Sequence, residues 1–174
     1  MTAECKFILT GSPHSDGATE HIAKRLFPDA EMIRLYQAGI EPCRGCRSCS
    51  ASCIIHDEFE KILNSCKPHF VLISPIYFYG FPSFVKAFVD RFQIFWNSKR
   101  RENFDSAVII LHGESGNKKA EAGLKAVSEM LFNFLGAKKT LFTVLHKLKE
   151  LNSIKTERRL LCLEKMLHTV YSAK

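Results

Sequence analysis

The sequence lacks the segments by which secreted, membrane-spanning and nucleic-acid-binding proteins are recognised. Its N-terminus has no basic region followed by a signal-type apolar run, and nowhere do eighteen apolar residues follow one another. The net charge is +7, but the basic residues are scattered and do not alternate with aromatic residues along a stripe. We therefore predict a cytoplasmic protein that binds neither membranes nor nucleic acids.

Internal repeats, low-complexity tracts and linker-like segments are also missing. Hydrophobic residues make up 46% of the chain and charged residues 25%, a composition typical of folded rather than disordered proteins. A chain of 174 residues is long enough to bury one substantial core. We predict a single domain over residues 1–174.

Short apolar runs alternate with amphipathic segments along the chain. The apolar runs lie at 7–9, 32–35, 70–73, 107–111 and 141–145. Helical periodicity follows them at 18–26, 57–66, 84–95, 119–135 and 149–171. Continuous apolar strands separated by helices indicate a parallel sheet covered on both faces. Because such crossovers are right-handed, we predict an α/β protein with a three-layer α/β/α architecture and a doubly wound, five-stranded parallel sheet.

In an open doubly wound sheet, ligands bind beyond the carboxyl ends of the strands. The first loop at that edge, residues 10–19, reads TGSPHSDGAT. Its backbone N–H groups, the following helix N-terminus and the hydroxyls of Ser12, Ser15 and Thr19 would bind a phosphate. The loop matches neither G-x-x-x-x-G-K-[ST] nor G-x-G-x-x-G, which disfavours nucleoside triphosphates and dinucleotides. Taken alone, it also fits an ordinary strand-to-helix turn.

Two further loops belong at the same edge. Residues 74–82 place aromatic side chains between two prolines, a stiff apolar wall for a flat ring. Residues 112–117 offer two glycines for close backbone approach. A phosphate loop combined with these two segments predicts a mononucleotide with a planar ring, namely FMN. The candidate ring-binding residues are Pro75, Ile76, Tyr77, Phe78, Tyr79, Gly80, His112, Gly113 and Gly116.

Four of the seven cysteines lie close together in a loop at about residues 36–56, with the spacing C-x2-C-x2-C-x3-C. Thiolates so close could hold a [4Fe–4S] cluster, and four of them could also bind zinc. A third interpretation is a loop of free or reversibly oxidised thiols. The candidate ligands are Cys43, Cys46, Cys49 and Cys53. Because the loop follows the second strand, we expect it at the same sheet edge as the flavin.

Three motifs resemble those of one known family. They are GSPHSDGAT, PCRGCRSC before HDEFEKI, and SPIYFYGFPSFVKAFVDR. Over about residues 5–145, the chain resembles the NADPH-dependent FMN reductase family of flavodoxin-like proteins, and within it the iron–sulfur flavoproteins. His14 stands where family members usually have Arg, and Ala18 where they have Asn.

The resemblance implies a sheet of order 2-1-3-4-5 and FMN held without a covalent bond. It places the phosphate on the first loop and the ring on residues 75–80. It also implies a homodimer or homotetramer with the flavin near the subunit interface. The first-loop residues matched to the cofactor are Ser12, His14, Ser15, Gly17, Ala18 and Thr19.

These observations predict an oxidoreductase that passes electrons from NAD(P)H through FMN to a flavin, a quinone or an iron–sulfur acceptor. One alternative is an electron-transfer module whose iron–sulfur cluster serves a ferredoxin-like partner. Another is a zinc-stabilised binding protein without enzymatic activity. Because the flavin itself carries the redox chemistry, no side chain is predicted as a catalytic acid, base or nucleophile.

Overall fold

The computed structural model describes residues 5–49, 52–114, 116–148 and 153–172. Its five strands form one parallel sheet in the order β2-β1-β3-β4-β5. The strands are β1 (Phe7–Thr10), β2 (Glu31–Arg34), β3 (His69–Pro75), β4 (Ser106–Gly113) and β5 (Lys139–His146). The predicted fold class and strand order are confirmed.

Helices cover both faces of the sheet. The described helices are α1 (Ala18–Leu26), α2 (Phe59–Ser65), α3 (Ser83–Asp90), α4 (Gln93–Ser98), α5 (Lys118–Leu135) and α6 (Ile154–Ser172). Alternate strand residues point to opposite faces, which divides the core into two layers. Leu72 and Ile109 pack under α2 to α5, whereas Val71 and Val108 pack under α1 and α6. No helix in the described ranges is long and apolar enough to cross a membrane.

The segment predicted as one helix over 84–95 is two helices. Between them the backbone changes to i→i−3 hydrogen bonds, from Arg91 N–H to Phe88 O and from Phe92 N–H to Val89 O. The side chain of Arg91 is buried and holds several partners there, which apolar periodicity does not reveal.

One predicted helix start differs from the structure, and another falls outside the described residues. Helix α2 begins at Phe59 rather than at 57, because the Asp57 carboxylate accepts a hydrogen bond from the Phe59 N–H at 3.1 Å. Helix α6 is described from Ile154, and residues 149–152, with which that helix was predicted to begin, lie outside the described residues. Ser50 and Ala51 of the cysteine loop and Ser115 of the loop after β4 lie outside them as well.

The strand register brings the predicted loops together at one edge. Pro75 pairs with His112 and Gly113 pairs with His146, so β3, β4 and β5 end side by side. Thr10 pairs with Ile73 near the end of the neighbouring strand β3. The loops after β1, β3 and β4 therefore leave the sheet along a single edge.

Candidate functional site

The loop from β1 into α1 presents polar groups at this edge. Ser12 is buried, and its Oγ accepts a hydrogen bond from the backbone N–H of His14 at 3.2 Å. His14 and Ser15 are exposed. Helix α1 begins after Gly17, and no described side chain caps its first turn. The backbone N–H groups of that turn are therefore available to an anion, and the helix end adds positive potential.

The acidic residue in the first turn of α1 does not oppose an anion, because its charge is compensated. Glu20 lies 2.8 Å from Lys24 Nζ and 3.0 Å from Arg34 Nη2. The hydrogen bond from Lys24, together with that from Arg34, holds the pKa of Glu20 below its usual value. The net field at this helix end therefore remains that of the backbone amides.

The Thr19 hydroxyl, which was predicted to bind the phosphate, already has a buried hydrogen-bond partner within the chain. The side chain is 2% exposed, and Oγ1 lies 2.7 Å from Nε2 of His112. Thr19 shares the inward face of α1 with Ile22, Ala23 and Leu26, which pack on the sheet. What Thr19 offers an anion is its backbone N–H.

The loop after β3 contains a two-residue hairpin turn built from aromatic residues. Tyr77 and Gly80 exchange two backbone hydrogen bonds, of 3.0 and 2.9 Å. Phe78 and Tyr79 between them have φ values of +47° and +64°. These are the left-handed values of a type I′ turn, which Asn and Gly usually supply. For residues with a side chain this conformation costs about 1–2 kcal/mol each.

Packing within the described chain does not offset the cost of this turn. Phe78 is fully exposed, and Tyr77 and Tyr79 are exposed as well. Strained backbone of this kind occurs chiefly at ligand sites, where a bound molecule gains from the fixed geometry. The hairpin is therefore the best candidate surface for a planar ring.

Replacing Tyr79 with Gly should raise the free energy of unfolding by about 1 kcal/mol, because Gly adopts the left-handed conformation without strain. The same change removes part of the proposed ring-binding wall, so binding of FMN should weaken. Tyr36 is similarly exposed but has no positive φ. Tyr36→Gly should therefore lower the stability. Urea unfolding of both variants checks the prediction, and a fall in stability with Tyr79→Gly would contradict it.

The third loop lies close against the second. The backbone N–H of Ile76 donates to the carbonyl of His112 at 2.7 Å, and a Cβ on Gly113 would stand 3.5 Å from the Ile76 side chain. Burial lowers the pKa of His112 to about 4, so this imidazole is neutral at neutral pH. The loop after β4 and the aromatic hairpin are thus fixed relative to each other.

A second imidazole, which the sequence did not reveal, lies beside the loop after β4. His146 Nε2 lies 2.9 Å from Glu121 Oε1, and this contact joins the end of β5 to the first turn of α5. A Cβ on the exposed Gly116 would stand 3.8 Å from both side chains. A histidine at the carboxyl end of the fifth strand was the signal that could have identified it.

The base of the cysteine loop is closed by a buried ion pair that the sequence analysis also missed. Arg91 Nη1 lies 2.5 Å from Asp57 Oδ2, with the two side chains 1% and 8% exposed. Arg91 also donates to the backbone carbonyls of Ile55, at 3.0 Å, and Glu41, at 3.3 Å. Asp57 accepts a hydrogen bond from the Glu41 N–H at 2.9 Å. Both ends of the loop are therefore held without any contribution from the thiols.

Burial alone would raise the pKa of Asp57. The hydrogen bonds from Arg91 and from the backbone N–H groups of Glu41 and Phe59 more than offset this, and the pKa lies below its usual value. The carboxylate is therefore charged in the folded protein at neutral pH. The sequence signal for this ion pair was Arg91, a cationic residue on the apolar stripe formed by Phe88 and Phe95.

Three of the four clustered cysteines line one cavity of about 360 Å³. The cavity is lined by Cys43, Gly45, Cys46, Arg47, Cys49, Asp90, Gln93 and Asn97. Helix α3 begins near the carboxyl edge of the sheet and runs back from it. Asp90, its last residue, therefore lies about 10 Å along the helix axis from the first residue of α3. The cavity therefore lies beside the end of α3, and the expectation that the cysteines lie at the same edge as the flavin loops stays a prediction.

Within the described residues, no three His, Cys, Asp or Glu side chains are arranged to hold a metal ion. Burial raises the pKa of Cys49, and the neighbouring thiols raise it further when they are charged. The four thiols are therefore close enough to interact electrostatically. The assignment of Cys43, Cys46, Cys49 and Cys53 as metal ligands stays a prediction.

The three remaining cysteines lie outside this loop. Cys5 and Cys66 are buried, and burial raises the pKa of each to about 12. Cys162, by contrast, is exposed on α6.

The two loops that follow β1 and β3 fit the two ends of FMN. The uncapped first turn of α1 and the Ser12 hydroxyl supply donors for a phosphate. The exposed hairpin of Tyr77–Gly80 supplies an aromatic surface for a ring. Because β1 and β3 are neighbours in the sheet, the two loops are close enough for one mononucleotide to span both. Backbone donors carry most of the phosphate end, so the usual Arg and Asn, here His14 and Ala18, are not essential to this fit.

Solved structures share the fold. NAD(P)H:quinone oxidoreductase from Methanothermobacter marburgensis superposes with a TM-score of 0.68 at 13% identity, covering 94% of this chain and 97% of its own. For the Trp repressor binding protein from Bacillus subtilis the TM-score is 0.60 at 18% identity, with coverage of 92% and 96%. General stress protein 14 from Treponema denticola, in complex with FMN, superposes with a TM-score of 0.55 at 13% identity, covering 93% of this chain and 98% of its own. A search of curated proteins gives no significant match.

A family model defines the class of protein more closely than these structures, whose low identities establish the fold alone. The model for NADPH-dependent FMN reductase matches residues 7–143, a span that contains the three edge loops and the cysteine loop. The chain therefore belongs to the NADPH-dependent FMN reductase family, whose members are flavin-dependent oxidoreductases.

Proposed function

We propose that this protein is an FMN-dependent oxidoreductase that takes electrons from NAD(P)H and passes them to a quinone or a free flavin. The observation that carries the proposal is the placement of an uncapped helix N-terminus and a strained, exposed aromatic hairpin on neighbouring strands. FMN, when bound, supplies the redox chemistry between the two substrates. The residues of the chain bind and orient, and no side chain is required as an acid or a base.

The phosphate end of the proposed site depends on the backbone. The amides of Ala18 and Thr19 lie in the uncapped first turn of α1, and Ser12 keeps its own hydroxyl proton for donation because its Oγ acts as the acceptor for His14. The exposed His14 side chain stands at the same loop. The net charge of +7 favours the approach of an anionic pyridine nucleotide.

The ring end of the site supports a planar acceptor. Phe78 is fully exposed, and its ring centroid lies 6.3 Å from that of Tyr79. A hairpin that projects two aromatic rings into solvent leaves room for a second flat molecule beside the flavin. This favours a quinone or a free flavin over a bulky acceptor that must enter a closed pocket.

Anaerobic mixing with one equivalent of FMN and excess NADPH or NADH tests the proposal. The flavin absorbance should bleach much faster than in a matched solution of FMN and pyridine nucleotide without protein. Addition of a quinone should then restore the absorbance. If the protein accelerates bleaching with neither nucleotide, the proposal is wrong.

The iron–sulfur acceptor is a finer alternative for the same enzyme. Its support is the cavity shared by Cys43, Cys46 and Cys49. This cavity lies beside the last residue of α3, about 10 Å along the helix axis from the first. Iron and sulfide analysis after anaerobic purification tests it, with Cys46→Ser as the matched variant. Iron and sulfide that are absent from the wild type, or unchanged in Cys46→Ser, would exclude a cluster at this loop.

A further inference from the structure

We propose that His112 is a positioning residue that fixes the phosphate-binding end of α1 relative to the aromatic hairpin. This role rests on the proposed FMN function. The side chain of His112 is hydrogen-bonded to Thr19 in the first turn of α1, with 2.7 Å between Nε2 and Oγ1. Its carbonyl accepts the N–H of Ile76, the residue that leads from β3 into the hairpin, also at 2.7 Å. One residue thus joins both ends of the proposed site.

The side-chain half of this link is the more informative, because backbone pairing would persist with any residue at position 112. No described side chain caps α1 from Gly17, so the first turn lacks the usual polar anchor. Thr19 is 2% exposed and makes its hydrogen bond inward, to β4. That contact sets the rotation of the first turn and hence the direction of the amides that would face a phosphate.

The two ends of the site can be separated by choice of ligand. FMN uses both the amides of α1 and the hairpin, whereas riboflavin has the same ring but no phosphate. Loss of the Thr19–His112 hydrogen bond should therefore weaken the binding of FMN and leave that of riboflavin unchanged. A merely structural role would weaken both ligands together.

Titration of the wild type and three variants with FMN and with riboflavin tests this inference. Thr19→Val keeps the shape of the side chain but removes the hydroxyl, and the dissociation constant for FMN should rise about tenfold, as expected for one lost hydrogen bond. Thr19→Ser keeps the hydroxyl and should bind FMN like the wild type. Ile22→Val, which removes one buried methyl group from the same face of α1, is the matched control and should not change the ratio of the two constants.

A second pair of variants covers the case in which Thr19→Val does not fold. His112→Leu should reproduce the loss of FMN affinity, and His112→Gln, whose amide nitrogen replaces Nε2, should restore it. If Thr19→Val and His112→Leu bind FMN like the wild type, or weaken FMN and riboflavin equally, the positioning role is overturned while the proposed function stands. A wild type that binds neither flavin overturns the proposed function and this role together.

Discussion

Replacing Arg91 with Met should lower the free energy of unfolding by about 3–5 kcal/mol. Met fills a similar volume but leaves the Asp57 carboxylate buried and without its partner. The carbonyls of Ile55 and Glu41 also lose their donor. The ends of the cysteine loop should separate from α3, and the loop should become sensitive to proteases.

Urea unfolding of the wild type and of Arg91→Met measures this effect. Lys138→Met is the matched control, because the Lys138–Asp105 pair is of similar length, 2.7 Å, but exposed. An exposed pair contributes no more than about 1 kcal/mol, so this variant should unfold almost like the wild type. A loss with Arg91→Met no greater than that of the control would show that the buried pair does not hold the loop.

The second large effect is a loss of stability in mild acid that depends on His112. Its pKa falls from 6.5 to about 4 because the imidazole is buried. As the pH drops from 6.5 toward 4, the unfolded chain binds a proton that the folded chain does not, so folding becomes less favourable. The contribution is fully present above pH 6.5, and about 3 kcal/mol of it is lost by pH 4.

A comparison of unfolding free energies near neutral pH and in mild acid measures this effect. His112→Gln has no group that titrates at this position, so its stability should fall less steeply over the same interval. Burial also lowers the pKa of His69, and that contribution is present in both proteins. Equal slopes for the wild type and His112→Gln would mean that His112 becomes protonated without cost to the fold.

The fold could be predicted because its signals are local. Each strand is a short apolar run, each long helix has a periodic apolar face, and a parallel sheet then places the carboxyl ends of the strands at one edge. The loops after β1, β3 and β4 follow from that topology alone. The helix predicted over 119–135 is an example: α5 ends at Leu135, and Gly136, with φ +58°, caps it.

The contacts that shape the site could not be predicted in the same way, because they join residues far apart in the chain. Thr19 and His112 are 93 positions apart, and Asp57 and Arg91 are 34 apart. The periodicity of α1 places Thr19 on the inward face, but it does not show that the hydroxyl meets His112 there. Arg91 stands on an apolar stripe, but only the structure shows which groups surround it.

The aromatic hairpin shows a different limit of sequence reasoning. Phe78 and Tyr79 were predicted to form a wall against a flat ring, and they remain candidates for it. Their left-handed conformation was not expected, because turns of this type normally contain Asn or Gly. The sequence here contradicts the local preference of the turn, which is characteristic of positions selected for binding rather than for stability.

Titration of the purified, flavin-free protein with FMN tests the central claim most directly. We expect one equivalent to bind, with a dissociation constant that is micromolar or lower, and the Tyr79→Gly variant to bind more weakly. Protein that is folded by circular dichroism but neither quenches flavin fluorescence nor shifts the flavin absorbance at saturating FMN would contradict the account.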